Sequence, residues 1–507
     1  MLRNTALRLA TPGRPRAYST AARPPLKVAV IGSGPSGFYA ASRILSQLPA
    51  SSELGARTTV DMYERLPTPY GLARYGVAPD HPEVKNCQHK FDELATDARF
   101  AFFGNVSVGD TPPAPGHYAY PHALHLPLSE LAGHYNALVF AYGASHSNPL
   151  ASVPGSSASA SPLPGVVPAL ALVSWYNGHP AYADLAVDLS ATRTVDVVGQ
   201  GNVALDVARI LLRPVDTLRG TDMPDDVLAT LAASAVTKVR AVGRRGPAQV
   251  AFTTKEFREM VNLPGVAYAG VDERLMAQAQ ALTKGDRMRT RMLALMAKQA
   301  NAGGGKTFEL DFLLSPAAFL PSDDGRLGSV KWDVNELVFA DGAAAAKRTG
   351  EALTRETDMV VESVGYRSEP LGGLLPFDGA RGRVLNAGGR VGVEGEVPGA
   401  YVAGWAGRGP VGVIASTMQD AYGLVEGILA DYAAEDGPFA ARPADAPIPL
   451  VPELGRPDAV ERGLKDGTVV PLSGWHRIDR AEQERARGTG KEREKFRRVE
   501  DMLSVLG

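Results

Sequence analysis

Two glycine clusters in this chain are spaced for dinucleotide binding, and the residues that follow them differ in charge. The first reads Val28-Ala-Val-Ile-Gly32-Ser-Gly34-Pro-Ser36-Gly37 and is followed by an apolar run ending Met62-Tyr63-Glu64. The second reads Val195-Asp-Val-Val-Gly199-Gln200-Gly201-Asn202-Val203-Ala204 and is followed by a run ending Val242-Gly243-Arg244-Arg245. In such a cluster the first glycine permits a tight turn, the second lets a pyrophosphate approach the backbone, and the third lets the helix pack on the strand. The helix that opens there turns its free N–H groups and positive dipole end toward the phosphates. A carboxylate at the next strand end accepts hydrogen bonds from ribose hydroxyls, so Glu64 suits FAD or NAD. Guanidinium forks suit a 2′-phosphate, so Arg244 and Arg245 suit NADP. A chain with one site of each kind is equipped to move hydride between NADP(H) and a flavin. Ala204 in the third position of the second cluster asks for slightly wider helix–strand packing.

The elements that must position these residues follow from the pattern. A strand over Lys27–Ile31, an amphipathic helix over Ser36–Gln47 and a strand over Thr58–Tyr63 form the first β-α-β unit. Residues 194–245 form the second, with a helix over Val203–Leu212, an insertion up to about Ser234 and a strand over Val239–Val242. Residues 67–82, dense in Gly and Pro, predict a loop of fixed shape. Further strands are expected over Leu138–Tyr142, Asp358–Ser363 and Gly399–Ala403, turns at Gly303–Gly305 and Ala343–Ala346, a surface insertion over 110–127 and a crossing linker over 145–169. The basic stretch 477–498 is expected to be mostly a solvated helix face. No repeat of solenoid period occurs. The expected fold is α/β, with two Rossmann-like dinucleotide-binding domains. An NADP domain, residues 146–365, is inserted into a discontinuous FAD domain made of 26–145 and 366–507.

Composition narrows the chemistry. The 507 residues are 45% hydrophobic and 21% charged, enough for two or three domains with a real core. The net charge of −2 gives no reason to expect nucleic acid. No apolar run approaches the roughly 18 residues that span a bilayer. Cys87 is the only cysteine, so the chain has no internal disulfide, no Cys-pair redox centre and no iron–sulfur cluster of its own. Disulfide reductases of the same two-cluster layout need a cysteine pair to pass electrons to a dithiol. Here electrons must leave directly from the flavin to something outside, and Cys87 is read as an inert buried thiol. The reading calls for no metal ion.

No Asp or Glu precedes Glu53, and Arg3, Arg8, Arg14, Arg16 and Arg23 stand among Ser, Thr and Ala. That composition predicts a mitochondrial transit peptide over residues 1–18, with disorder to about residue 25 and cleavage after Tyr18.

Gly404-Trp405-Ala-Gly-Arg408-Gly-Pro410-Val-Gly412-Val413-Ile414 ends a strand and starts a helix. It resembles the closing element of two-dinucleotide flavoproteins, where an Asp usually follows the glycine. Trp405 in that place can lie beside an isoalloxazine ring, while the backbone amides of Gly412–Ile414 face flavin polar atoms.

The stretches GSGPSGFYA, YGLARYGVAPDHPEVKN, VVGQGNVALDVARILL, GRRGPAQVAFTTKEFREM, ESVGYRSEP and GWAGRGPVGVIASTM run in order from about residue 27 onward. Together they resemble the mitochondrial NADPH:adrenodoxin (ferredoxin) oxidoreductases, with a looser match toward the end. The resemblance implies FAD contacts at Gly32, Gly34, Ser36 (through its backbone), Gly37, Glu64, Leu72, Val108, Trp405, Gly412, Val413 and Ile414. It implies NADP contacts at Gln200, Gly201, Asn202, Val203, Arg244, Arg245, Glu256 and Gly412. It suggests that His81 and Asp206 lie near the flavin in a polar, proton-handling network.

The partner implied is an acidic [2Fe–2S] ferredoxin of the adrenodoxin type, which takes one electron at a time from a flavin loaded with two. Such a partner needs a basic face despite the negative net charge. The candidates are Arg258, Arg287, Arg289 and Arg291, in the part of the NADP domain where the family binds its partner. The family also tends to associate peripherally with the matrix side of the inner membrane, although no amphipathic anchor is evident here. The insertions 110–127 and 151–163 have no family role.

Two other enzymes would fit the architecture. A glutamate-synthase small-chain flavoprotein would need N-terminal cysteine clusters, which are absent. A flavin monooxygenase would consume oxygen. A non-catalytic NADP(H)-binding regulator with a dead flavin site is a third reading, against which stand Glu64 and the intact glycines.

Overall fold

In the computed structural model, residues 24–110, 120–298, 305–340 and 343–507 are described. The transit peptide, residues 111–119 of the first insertion, and Gly303 and Gly304 of the expected turn lie outside them.

The first glycine cluster sits at the middle of an eight-stranded sheet. Lys27–Ile31 is its central parallel strand, in register with Thr59–Tyr63 on one side and Ala137–Phe140 on the other. Phe100–Gly104 and Ala400–Val402 extend the parallel set outward. The strand beside Phe100–Gly104 is the short antiparallel Val470–Pro471, so the C-terminal region closes the sheet that the N-terminal region starts. Helix Pro35–Gln47 begins with proline in its first turn, where a missing N–H costs nothing. Its apolar stripe (Phe38, Ala41, Leu45) packs with the long helix Ile414–Ala433 through Ala421, Val425 and Ile428.

The second cluster lies in a six-stranded, wholly parallel sheet. The order is Val266–Tyr268, Lys306–Asp311, Lys238–Val242, Thr194–Val198, Met359–Glu362, Val166–Pro168. Its central strands Thr194–Val198, Lys238–Val242 and Met359–Glu362 are buried on both faces, while Lys306–Asp311 and Val266–Tyr268 toward one edge are buried on alternate residues. Helices Ala169–Tyr176 and Asn202–Leu212 cover one face. The other is covered by a three-stranded antiparallel sheet, Leu314–Pro321, Leu327–Ala340 and Ala343–Glu356, around the fully buried Trp332.

The antiparallel sheet overturns one expectation. Ala343–Ala346 is the start of a 14-residue strand, not a turn, and Ala346 pairs with Leu337. A ladder that satisfies the backbone tolerates small side chains, so a run of alanines carries no turn signal of its own. The linker 145–169 is part strand, since Val166–Pro168 belongs to the parallel sheet, and Leu150, Val153 and Leu163 pack beside Trp332. The insertion before Ser234 contains a helix, Asp225–Ala232. Cys87 is only half-buried, and burial pushes its thiol up to about 11, which leaves it protonated and inert.

The stretch 477–498 is not mostly a solvated helix face. Helix Leu472–Arg485 covers only its first part, and Ile478, Glu482 and Lys495 have no exposed surface. Composition sees the charges but not their partners, which come from distant parts of the chain. Arg74 meets Glu482 at 2.6 Å with both side chains buried, and Lys495 meets Asp222 at 2.8 Å.

The two sheets are linked by antiparallel crossings at His146–Ser147 and Tyr366–Arg367, which pair with each other. Glu369 braces this hinge. It accepts from Arg65, Ser145 and His146, and although burial pushes its carboxyl up, those bonds and charges hold it well below the usual range.

Candidate functional site

A cavity of about 800 Å³ opens beside the first glycine cluster, lined among others by Gly32, Glu64, Val108, Tyr142, Tyr182 and Asp184. Glu64 is placed at the end of Thr59–Tyr63 by a strand hydrogen bond from its N–H to the Phe103 carbonyl, at 2.9 Å. Its carboxylate accepts from the Ser33 N–H at 3.1 Å, the Ser33 hydroxyl at 2.6 Å and the Leu66 N–H at 3.2 Å. The acid is thus fixed at the mouth of the glycine turn, where a ribose would lie. Val108 lines the same cavity on the strand next to Leu124–Leu126.

Both nucleotide helices begin without a side-chain cap, at Gly34 and at Gly201. A Cβ built on either glycine would meet no protein atom within 4 Å. These are open spaces in front of free N–H groups, which is what a pyrophosphate requires. At Gly37 a Cβ would stand 2.1 Å from the Gly32 carbonyl oxygen, so that glycine serves helix packing. Ser36 is buried against Gly404, and this contact joins the first helix to the closing element.

Leu72, Val203 and Trp405, expected from three separate motifs, pack together against Ala144, Leu170 and Tyr366. This apolar floor lies between the two sheets. The Trp405 ring is 6.1 Å from that of Tyr366, and its indole Nε1 is buried without a hydrogen-bond partner. A buried orphan donor there, with the two open glycine turns and the cavity at Glu64, fits a flavin and a nicotinamide nucleotide meeting over this floor. Gly412 and Val413 are exposed and Ile414 half-exposed at the uncapped start of Ile414–Ala433, a third open set of backbone N–H groups.

His81, Asp206 and Glu256 bring their ligand atoms within 4.8 Å of one another. Asp206 lies one turn into the second nucleotide helix. Burial raises its carboxyl to about 6, opposed by Arg209 and reinforced by Glu256. His81 shares a 2.8 Å hydrogen bond with Glu259.

The sequence reading missed the residue that gathers this network. Arg209 has no exposed surface and stands 2.7 Å from Asp80, 2.8 Å from Asp206, 3.6 Å from Glu256 and 3.9 Å from Glu259. Burial alone would raise Asp80, but the Arg209 bonds and charge hold it below its ordinary range. Two signals were available. Asp80 adjoins His81, and Asp206 and Arg209 stand three residues apart, on one face of the otherwise apolar ALDVARILL helix.

The second nucleotide's residues divide into two groups. Arg244 is exposed and Arg245 half-exposed, and among the described residues neither faces an acid. Their backbones are pinned, since the Arg244 carbonyl accepts from Asn335 at 3.2 Å and the Arg245 carbonyl from the Leu313 N–H at 3.2 Å. By contrast, the Gln200 side chain is already committed. It donates to the carbonyls of Ala241 at 3.0 Å and Asp311 at 2.8 Å, so it ties strand ends together. The Asn202 side chain accepts from the Thr253 N–H at 2.8 Å, and Thr253 in turn caps the helix that carries Glu256.

Arg258, Arg287, Arg289 and Arg291 are all exposed, on helices Thr254–Val261 and Arg287–Met296, which pack on each other. Arg289 is partly engaged with the Ala248 carbonyl and with Asp286.

No family model matches the chain. Individual proteins do. The chain is 39% identical over 509 residues to the mitochondrial NADPH:adrenodoxin oxidoreductase of Homo sapiens, covering 98% of this chain and 95% of that protein. It is 37% identical over 510 residues to the Arabidopsis thaliana protein of the same name, covering 97% of each. The solved structure of Mycobacterium tuberculosis FprA in complex with NADPH superimposes with a TM-score of 0.81 at 35% identity, covering 95% of this chain and 100% of that one.

Proposed function

The chain belongs to the NADPH:adrenodoxin oxidoreductase family, FAD-dependent enzymes that carry electrons from NADPH to a ferredoxin, and from that premise we propose how its own residues do so and which carrier they serve. The observation that carries the reading is the convergence of Leu72, Val203 and Trp405 on one apolar floor between two nucleotide sites of opposite charge. FAD supplies the chemistry of accepting a hydride and releasing electrons singly. Glu64 holds its ribose and the Gly34 turn its pyrophosphate. Arg244 and Arg245 select NADPH by its 2′-phosphate. Leu72, Val203, Tyr366 and Trp405 exclude water where the two rings meet. His81, Asp206 and Glu256, gathered by Arg209, handle the proton that accompanies electron release. Residues 26–145 and 366–507 form the flavin-holding body and 146–365 the NADP-holding body.

The carrier is an acidic [2Fe–2S] ferredoxin of the adrenodoxin type, docked on the Arg258, Arg287, Arg289 and Arg291 face in the mitochondrial matrix. Among the described residues no helix is long and apolar enough to cross a membrane, and any association with the inner membrane is peripheral. The purified protein should be yellow and reduce cytochrome c with NADPH only when a [2Fe–2S] ferredoxin is added. Reversing Arg258, Arg287 and Arg291 to Glu should weaken ferredoxin-dependent reduction and flatten its salt dependence, while ferricyanide reduction by NADPH persists. Equal loss of both activities would remove the docking assignment, and oxygen consumption with hydroxylation of an added substrate would favour a monooxygenase. Sequencing the mature N-terminus should find a start near Ser19, and a start at Met1 would remove the transit-peptide assignment.

A further inference from the structure

The flavin and nicotinamide sites lie on two bodies joined covalently only through the crossings at residues 146–147 and 366–367. Their spacing at the ring floor therefore needs a non-covalent reference. The C-terminal stretch supplies one. Lys495 has no exposed surface, and its ammonium meets acceptors from both bodies at once. It stands 2.8 Å from the Asp222 carboxylate, donates to the Asn177 carbonyl at 3.0 Å and donates to the Arg74 carbonyl at 3.3 Å. Arg74 lies in the short helix Leu72–Tyr75, whose Leu72 is part of the floor. Asn177 directly follows helix Ala169–Tyr176, whose Leu170 is part of the same floor. One ammonium thus ties together the helix that carries Leu72 and the helix that carries Leu170 to the same apolar floor.

Neighbouring residues fix the ammonium in place. Arg74 is held from behind by Glu482 at 2.6 Å. Asp222 also accepts from Lys85 at 2.6 and 2.7 Å, so it would keep a cation without Lys495. Lys491 bonds the Met223 carbonyl at 2.8 Å, and the Arg497 guanidinium donates to the Ala183 carbonyl at 3.2 Å.

We propose that Lys495 is a positioning residue for hydride transfer: by bonding the Arg74 and Asn177 carbonyls simultaneously it sets the distance between the nicotinamide and flavin rings. A buried ion pair adds little stability over apolar residues of the same shape, but it fixes geometry through directed bonds. An ammonium has three donors, and three acceptors stand within 3.3 Å of this one; burial lowers its pKa to about 7, opposed by Asp222, and the directed bonds are the same contacts that hold its proton. The pair serves registry between the bodies. Transfer between stacked rings depends steeply on their placement, and a misplacement of about 1 Å costs on the order of a hundredfold.

The inference rests on NADPH reducing the bound FAD, and its test separates the two claims. Wild-type holoenzyme and Lys495→Met are mixed with NADPH, and flavin bleaching is followed by stopped flow, with NADPH and with NADPH deuterated at the transferred position. The variant should hold FAD and bind NADP+ within about threefold of wild type, while bleaching slows on the order of tenfold to a hundredfold with an undiminished isotope effect. Lys495→Arg, which keeps the charge and directed donors, should recover part of the rate. Bleaching within twofold of wild type would overturn the proposal. So would a loss explained wholly by weaker NADP+ binding. Should Lys495→Met fail to hold FAD, the same measurement on Lys495→Gln, which retains a donor, decides by the same criteria. Failure of the wild type itself to bleach would instead overturn the NADPH-to-FAD reading.

Discussion

Replacing Arg244 and Arg245 together with alanine should lower kcat/KM for NADPH by about a hundredfold to a thousandfold and leave kcat/KM for NADH within about threefold. A charge-assisted hydrogen bond to a phosphate is worth about 1.5–3 kcal/mol, and two such residues offer a combined effect of roughly 3–4 kcal/mol after solvent screening of exposed side chains. At 1.4 kcal/mol per factor of ten, that is the stated range. The substitution removes side chains without disturbing the turn, because both carbonyls are held by Asn335 and Leu313. Arg240, earlier on the same strand, is a built-in contrast. It is buried and paired with Asp196 at 2.5 Å, so its guanidinium is not free to meet a phosphate. The check is a pair of steady-state titrations with NADPH and NADH. An unchanged preference would mean that the arginines are only a solvated turn.

The charge contrast was legible because each determinant is local. Glu64 and Arg244 stand where a strand ends, and strand ends follow from apolar runs. Lys27–Ile31, Met359–Glu362 and Ala400–Val402 fall within or close to the expected bounds for the same reason. The helices start one residue early, at Pro35 and Asn202, which hydropathy alone does not mark.

Three features were not legible, and each depends on partners distant in sequence. Arg209 acquires its role only when the loop carrying Asp80 and the helix carrying Glu256 meet around it. The amide of Gln200, in the second glycine turn, ties two neighbouring strand ends by bonding their carbonyls, a structural duty that the motif alone does not reveal. The basic stretch ending at Arg498 was expected in water. Its lysines and arginines find Asp222, Asp225 and Asp226 instead. Long-range ion pairing leaves no periodic trace, whereas packing on a sheet does.

Valine at Gly34 and valine at Gly201 should each remove one nucleotide and spare the other. Gly34 has φ −73° and ψ −177°, and Gly201 has φ −104° and ψ 179°, extended conformations that valine adopts without strain. At neither position would an added Cβ have a protein atom within 4 Å, so the fold leaves open space where the side chain would start. What a valine would fill is the space for a pyrophosphate. Gly34→Val should therefore fold, with a melting temperature within a few degrees of flavin-free wild type, and bind almost no FAD. Gly201→Val should purify yellow and lose NADPH binding by about a hundredfold or more, since a displaced pyrophosphate forfeits several charge-assisted bonds at the helix N-terminus. Gly37→Val differs from both. Its Cβ would stand 2.1 Å from the Gly32 carbonyl oxygen, and Gly32 is itself fixed by its N–H bond to the Tyr63 carbonyl at 2.8 Å. Overpacking of that kind costs at least about 1–3 kcal/mol, so this variant should lose folded protein before it loses flavin selectively. Flavin-to-protein ratio, NADP+ titration and thermal melts read all three variants. A yellow Gly34→Val, or a pale Gly201→Val, would break the assignment of FAD to the first turn and NADP to the second.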